Sequence, residues 1–107
     1  MTTSDIDAYN AMEELANGLG YMSVFDFTKI QIKNVTLQKI AYYQARVDGL
    51  EKKYGMRFEE FRQRVINPSD AVLSKFGIIE KEDDDNDWED ALDFIQIYSR
   101  ALQRVIP

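Results

Sequence analysis

The chain contains no histidine and no cysteine, and these two absences exclude several kinds of chemistry. Without histidine there is no ordinary general base near neutral pH, so a Ser-His-Asp triad and a histidine zinc site are excluded. Without cysteine there are no disulfides, thiolate metal ligands or thiol nucleophiles. The sequence also lacks a glycine-rich phosphate loop, a nucleophile elbow and a paired-carboxylate motif. We therefore expect a non-enzymatic protein with no catalytic residue, metal or cofactor.

Long apolar runs are missing as well, because no stretch approaches the ~20 residues that a membrane span requires. The first residues contain neither the basic nor the apolar region of a signal peptide. We expect a cytoplasmic protein with no membrane partner. The 107 residues, 45% of them hydrophobic, fit one domain with a small core. Within it, residues 1–21 form an N-terminal helical extension and residues 22–107 form the remainder.

Apolar spacing predicts a mainly α fold: a small helical domain with a long helix, a helical hairpin and a C-terminal amphipathic helix. A first helix over about residues 5–17 begins at Ser4, which forms a capping box with Asp7, and ends at Gly18 and Gly20. Residues 24–33 are rich in β-branched and aromatic side chains, and within them Lys29 to Lys33 alternate polar with apolar. This pattern allows one short β-strand, paired within the subunit or between subunits.

The longest predicted helix begins near Asn34 or Thr36 and ends at Gly55. Its apolar residues repeat at 3-4-3-4 spacing, as in a coiled coil, which predicts a homodimer. The residues of this dimer seam are Ile40, Tyr43, Val47, Leu50 and Tyr54. A shorter helix over about 57–66 follows, then an apolar connection over 67–85, then a helix over about 88–105 that residues 85–87 can cap.

Residues 80–90 hold eight acidic residues and one lysine, a local imbalance larger than the net charge of -6 for the whole chain. One interpretation is a solvated loop whose last carboxylates favour the positive end of a helix dipole. The other is a docking site for a basic protein, with Trp88 as an anchor, although a tryptophan at this spacing is also typical of a core. The partner-binding candidates are Glu82, Asp83, Asp84, Asp85, Asp87, Trp88 and Asp90.

A calcium loop does not fit the acidic residues, since an EF-hand that starts at Asp83 would place Trp88 at the glycine position and Phe94 at the last ligand. Nucleic acid is a secondary possibility. Residues 29–64 hold nine Lys and Arg against four acids, and a strand that presents Lys29, Gln31 and Lys33 would suit a ribbon-helix-helix DNA-binding regulator. The acidity of the whole chain counts against phosphate binding.

Three segments resemble small acidic bacterial and archaeal antitoxin-like proteins. They are Ile-Lys-Asn-Val-Thr-Leu at 32–37, Glu-Lys-Lys-Tyr-Gly-Met at 51–56 followed by Phe-Glu-Glu-Phe at 58–61, and the acidic run into Asp-Trp-Glu at 87–89. The resemblance covers about residues 30–105. It implies a protein that binds and neutralises a basic partner toxin, often a ribonuclease. The alternatives are the DNA-binding regulator and a structural helical homodimer with no toxin.

Overall fold

The computed structural model describes residues 2–106, so Met1 and Pro107 lie outside it. The fold is mainly α, as the sequence predicts, and the part of the chain that is described contains no strand. The helices are α1 (Thr3–Gly18), α2 (Val24–Tyr54), α3 (Phe58–Val65) and α4 (Ile78–Val105), with one 3₁₀ turn at Leu73–Lys75. None of these helices combines the length and the apolarity that crossing a membrane requires.

Helix α2 is ten residues longer at its start than predicted, and the short strand predicted near 24–33 is wrong. The helix begins at Ser23, whose Oγ accepts a hydrogen bond of 3.0 Å from the backbone N–H of Asp26. An alternation of only five residues, Lys29 to Lys33, cannot hold a strand when a cap precedes it and a helix follows it. The end of α2 agrees with the prediction, since Gly55 takes φ 69° and stops the helix.

Helices α1 and α3 lie close to their predicted bounds, but the cap of α1 differs. Its N-cap is Thr2 rather than Ser4, and the capping box is formed with Asp5 rather than Asp7. The Thr2 hydroxyl accepts from the N–H of Asp5 at 3.1 Å, and the Asp5 carboxylate accepts from the N–H of Thr2 at 3.2 Å. A capping box is therefore present as predicted, but it lies two residues earlier in the chain than the predicted one.

Helix α4 begins at Ile78, ten residues before the predicted start at Trp88. Glu80 supports this start, because its carboxylate accepts from the N–H of Gly77 at 3.3 Å. The prediction that residues 85–87 cap the helix is therefore wrong, and the whole acidic segment lies inside the first half of α4. The cost of so many like charges on one helix is offset by basic side chains from other helices.

Helices α2 and α4 pack antiparallel along their whole lengths. Lys53 meets Glu80, Arg46 meets Asp87, and the ring of Tyr43 stacks on Phe94 at 5.0 Å, so that residue numbers fall along α2 as they rise along α4. We call residues 24–45 of α2 and residues 94–106 the distal part of this hairpin. The proximal part consists of residues 46–93, which are the end of α2, α3, the connections before and after α3, and the first half of α4.

The core lies entirely in the proximal part. Trp88, Phe61 and Leu73 are fully buried, and the ring of Trp88 lies 5.2 Å from Phe61 and 5.3 Å from Phe58, centre to centre. Helix α3 and the connection close the core from one side. Its buried residues are Val47, Leu50, Tyr54, Met56, Phe61, Leu73, Trp88 and Ala91.

The residues of the predicted dimer seam contact other helices of the same chain. Val47, Leu50 and Tyr54 are at most 4% exposed, because α4 of the same chain covers them. Tyr43 packs on Phe94 and Tyr98, and Ile40 is half-buried. Apolar 3-4 spacing requires a partner helix, but it does not specify whether that helix belongs to the same chain.

The molecule is elongated, with dimensions of 67 × 26 × 19 Å. Its radius of gyration is 21.5 Å, whereas a compact chain of this length has about 13 Å. Outside the proximal part only one residue in the described chain is buried, Ala16 of α1. Helix α1 and the distal part are therefore held by little apolar burial.

Phe61→Ala should lower the free energy of unfolding by about 3–5 kcal/mol, because it leaves a cavity in the centre of the core. Phe25→Ala is the matched control, since Phe25 is 70% exposed and its loss should change stability by less than about 0.5 kcal/mol. Urea unfolding followed by circular dichroism measures both. Equal losses in the two variants would contradict the placement of the core.

Candidate partner-binding site on the acidic helix

The acidic residues of α4 form two groups, one that contacts basic side chains of α2 and α3 and one that faces solvent. In the first group, the Asp84 carboxylate accepts from Lys53 Nζ and from the Tyr54 hydroxyl, both at 2.6 Å. Glu80 contacts the same lysine at 2.7 Å. This cluster joins the two helices of the hairpin at the edge of the core.

The electrostatics of this cluster follow from burial and from its hydrogen bonds. Burial of Asp84 alone would raise its pKa, but the hydrogen bonds from Lys53 and Tyr54 outweigh burial and lower the pKa below 3.8. Burial, and then the bond to Asp84, raise the pKa of Tyr54. The bonds to Asp84 and Glu80 raise the pKa of Lys53. At neutral pH the cluster therefore contains a lysine cation, two carboxylates and a neutral phenol.

Two further carboxylates of the predicted site, Asp85 and Asp87, are paired within the chain. Asp87 lies 2.5 Å from Arg46 of α2, and Asp85 lies 3.1 Å from Arg62 of α3, which also contacts Glu89. These pairs are about half exposed, so each one contributes little to stability. Together these ion pairs neutralise negative charge that would otherwise be available to a binding partner.

Trp88 is fully buried under Tyr54, Phe58 and Phe61, so it does not reach the surface as an anchor. Its indole N–H has no acceptor within hydrogen-bonding distance among the described residues. The core interpretation of this tryptophan is therefore the one that the structure supports. Of the seven predicted partner-binding residues, only Glu82, Asp83 and Asp90 remain exposed and unpaired within residues 2–106.

Two of these free carboxylates, Asp83 and Asp90, belong to a solvent-facing stripe along α4 that extends further than the sequence prediction. Residues spaced 4-3-4-3-4 along a helix share one side, and every member of this stripe is exposed. The stripe consists of Ile79, Asp83, Asn86, Asp90, Asp93 and Ile97. Asp93 was missed because the predicted acidic segment ended at residue 90. Helical spacing carried through the whole segment would have found it.

A shallow groove of about 370 Å³ lies beside the start of this stripe, between the end of α3 and the start of α4. Its floor is apolar, from Val65, Ile66, Pro68 and Ile78, and its rim carries two acids and one base, Glu82, Asp85 and Lys81. Asp85 is paired with Arg62 and Lys81 donates to the carbonyl of Leu73, so Glu82 is the charged group of the rim with no partner among the described residues. Ile66 and Ile78 are 80% and 79% exposed. Sequence reasoning placed Ile78 in a connection across the core, and the structure places it at the surface instead.

The connection that forms one wall of this groove is fixed by Asp70, a residue that sequence reasoning missed. Its carboxylate accepts from Arg64 Nε at 2.8 Å and from the backbone N–H groups of Val72 and Leu73, both at 2.9 Å. These bonds, led by the one from Arg64, lower the pKa of Asp70 far below its usual range. A rigid connection keeps the apolar floor in place without a ligand.

The three residues considered for DNA contact do not form one surface. Lys29 and Lys33 lie one turn apart on α2, but Gln31 points to the other side of the helix because two residues correspond to about 200°. Lys29 is also engaged, 3.6 Å from Asp26 and over the ring of Phe25. The strand that would have aligned these side chains is absent from residues 24–33.

The described residues hold no group of three or more side chains arranged to bind a metal ion. Comparison of the chain with protein-family models, with curated proteins and with solved structures gives no match. Functional inference therefore depends on the geometry of the acidic stripe and of the groove beside it.

Asp84→Asn should lower the free energy of unfolding by roughly 1.5–3 kcal/mol at pH 7, because it weakens two charge-assisted hydrogen bonds at the edge of the core. The pKa of Asp84 is lowered in the folded state, so its stabilisation is present above its unfolded pKa and is lost as the pH falls through the folded value. The difference between variant and wild type should therefore shrink below about pH 4.

The matched control for this change is Asp83→Asn, which removes a neighbouring carboxylate that is exposed and unpaired within the described chain. It should leave stability almost unchanged from pH 7 down to pH 3. Urea unfolding at a series of pH values measures both variants. A loss of stability for Asp84→Asn that persists undiminished in acid would show that the carboxylate charge is not the cause.

Proposed function

We propose that this protein is a non-enzymatic interaction protein that binds a basic protein partner through the outer side of α4, as an antitoxin binds its toxin. The observation that carries the proposal is the juxtaposition of free carboxylates with an apolar groove that no residue between positions 2 and 106 fills. Glu82 stands on the rim of that groove, and Asp83 and Asp90 continue the negative surface along the helix.

The two features support binding in different ways. Free carboxylates on an exposed helix create a negative potential that attracts a basic surface and raises the rate of association. An apolar groove supplies the buried contact that slows dissociation. Ile66 and Ile78, each about four-fifths exposed, would lose water on contact with an apolar side chain of the partner. An acidic rim around such a groove favours an amphipathic segment that carries lysine or arginine beside an apolar anchor.

The resemblance to small acidic antitoxins supports a toxin as the partner. The resembling segments include the end of α2, the start of α3 and the first half of α4, which together form the proximal part of the hairpin. Such toxins are often ribonucleases, and a surface that binds RNA is basic. An acidic helix that covers that surface would compete with the RNA phosphates, which gives neutralisation a simple electrostatic basis.

The decisive measurement is the binding of this protein to the protein product of the neighbouring gene at physiological salt, monitored by surface plasmon resonance. Asp83→Asn with Asp90→Asn should lower the association rate about tenfold and leave the dissociation rate nearly unchanged. The matched control is Asp48→Asn with Glu59→Gln, which removes the same charge from exposed positions of α2 and α3. If both pairs slow association equally, net charge rather than the α4 surface is responsible.

Ile66→Ser with Ile78→Ser tests the groove separately. This pair should raise the dissociation rate about tenfold or more, because it removes the apolar floor from contact. Met22→Ser with Leu37→Ser changes two exposed apolar residues outside the groove and serves as its control. A neighbouring protein that fails to bind the wild type, or that binds all variants equally, would contradict the proposal.

A further inference from the structure

Most of the exposed apolar surface of the protein lies far from the groove. Of the 17 large apolar side chains that are exposed, 14 belong to α1, to the α1–α2 junction or to the distal part of the hairpin. Within these regions, Ala16 is the only described residue that is buried. A surface of this kind indicates an interface.

Helix α1 carries an apolar stripe that its own chain covers incompletely. This broad apolar surface winds around about half of the helix, because its first four members are three residues apart, and it consists of Ile6, Tyr9, Met12, Leu15 and the C-cap Leu19, which are 46–66% exposed. We call it the stripe. Near its end, α1 leaves a cleft of about 260 Å³ against Val24 and Phe27 of α2. The stripe extends over about 20 Å, at 1.5 Å per helical residue. We call α1 the arm.

A second exposed apolar strip lies on the distal part of the hairpin. Ile32, Val35 and Tyr42 are 47–63% exposed and, at spacings of three and seven residues, share one side of α2. Phe94 and Ile97 of α4 are 37% and 57% exposed. Tyr42 and Phe94 line the same cleft between the two helices, so the apolar residues of α2 and α4 adjoin there, and Arg46, Asp87 and Asp90 line the other end of the cleft.

The arm and the distal part carry opposite charges. The arm contains four acidic residues and no lysine or arginine. The distal part contains Asp26 as its one acidic residue, against five basic residues: Lys29, Lys33, Lys39, Arg100 and Arg104. Only Lys29 among these five has an acidic partner within residues 2–106. The net charges of the two surfaces are therefore -4 and +4.

We propose that two copies of this chain form a dimer in which the arm of each copy lies along the distal part of the other. Each chain carries both complementary surfaces, so a two-fold axis satisfies both at once and leaves no open end. The acidic arm neutralises the unpaired basic residues of the partner, and its apolar stripe covers the strip from Ile32 to Tyr42. This dimer differs from the predicted one, whose seam lies inside the chain.

A duplex nucleic acid is the other occupant that the basic residues could attract. The apolar side chains between them argue against it, since a phosphate surface leaves Val35 and Ile97 as exposed as they are in the free chain. The acidic arm beside the basic surface would also repel phosphates.

Sedimentation equilibrium of the isolated protein tests the proposal without any other partner. The wild type should have twice the 12.5 kDa mass of the chain, and raising the salt should weaken the dimer. Asp7→Lys with Glu14→Lys on the arm should raise the dissociation constant about tenfold or more, and so should Lys39→Glu with Arg104→Glu on the distal part. The combination of all four changes should restore the dimer, because attraction is re-formed with reversed signs.

Two further samples complete the design. Val35→Ser with Ile97→Ser should give a monomer with an unchanged helical circular dichroism spectrum. Ile66→Ser with Ile79→Ser is the control, because both residues are exposed but lie outside the interface, and this variant should remain a dimer. A wild type that stays monomeric, or charge reversals that weaken the dimer without mutual rescue, would overturn the proposal. A monomer that binds duplex DNA in low salt would overturn it in favour of nucleic acid.

Discussion

The antiparallel contact between α2 and α4 is the interaction on which the rest of the structure depends. Its register is fixed at one end, where the buried ring of Trp88 packs against Tyr54 and Phe61 and where Asp84 bonds both Lys53 and Tyr54. A slip of one turn along either helix would bury a carboxylate in the core or leave Trp88 in water, and both changes are costly. Apolar packing and charge pairing therefore specify the same register.

This register divides the acidic residues of α4 by the side of the helix on which they lie. Carboxylates that face α2 and α3 meet the excess of basic residues between positions 29 and 64, and they stabilise the hairpin. Asp83 lies on the opposite side, and Asp90 lies at the edge of the cleft that also contains Arg46; neither forms an ion pair among the described residues. Some carboxylates of this acidic segment thus stabilise the hairpin and others remain exposed at the surface. The position of each residue around the helix determines which of the two it does.

The sequence predicts those features that depend on local signals. Gly55 ends α2 because a left-handed backbone favours glycine, and Phe58 to Val65 form the short helix that their spacing indicates. The start of α4 could not be predicted in this way, because a run of like charges is typical of a loop unless bases from elsewhere compensate it. Arg46, Lys53 and Arg62 do so from 23 to 41 residues away in the chain.

The short strand expected within residues 24–33 is absent for a related reason. The alternation from Lys29 to Lys33 extends over only five residues, whereas the helix that contains them is 31 residues long. The seam from Ile40 to Tyr54 was identified correctly as a contact between helices, but spacing gives no information on which chain supplies the second helix. The groove near Ile66 and Ile78 could not be predicted from the sequence, since it depends on how the connection folds around Asp70.

All eight residues of the core come from one continuous stretch, Val47 to Ala91. Contacts between residues close in sequence form quickly, and such a stretch can act as a cooperative unit that opens and closes independently of the rest. The distal helices then grow outwards from a finished core by adding backbone hydrogen bonds at each end. Amide protons in the distal part should accordingly exchange with solvent through local fraying, and those around Trp88 only when the whole unit opens.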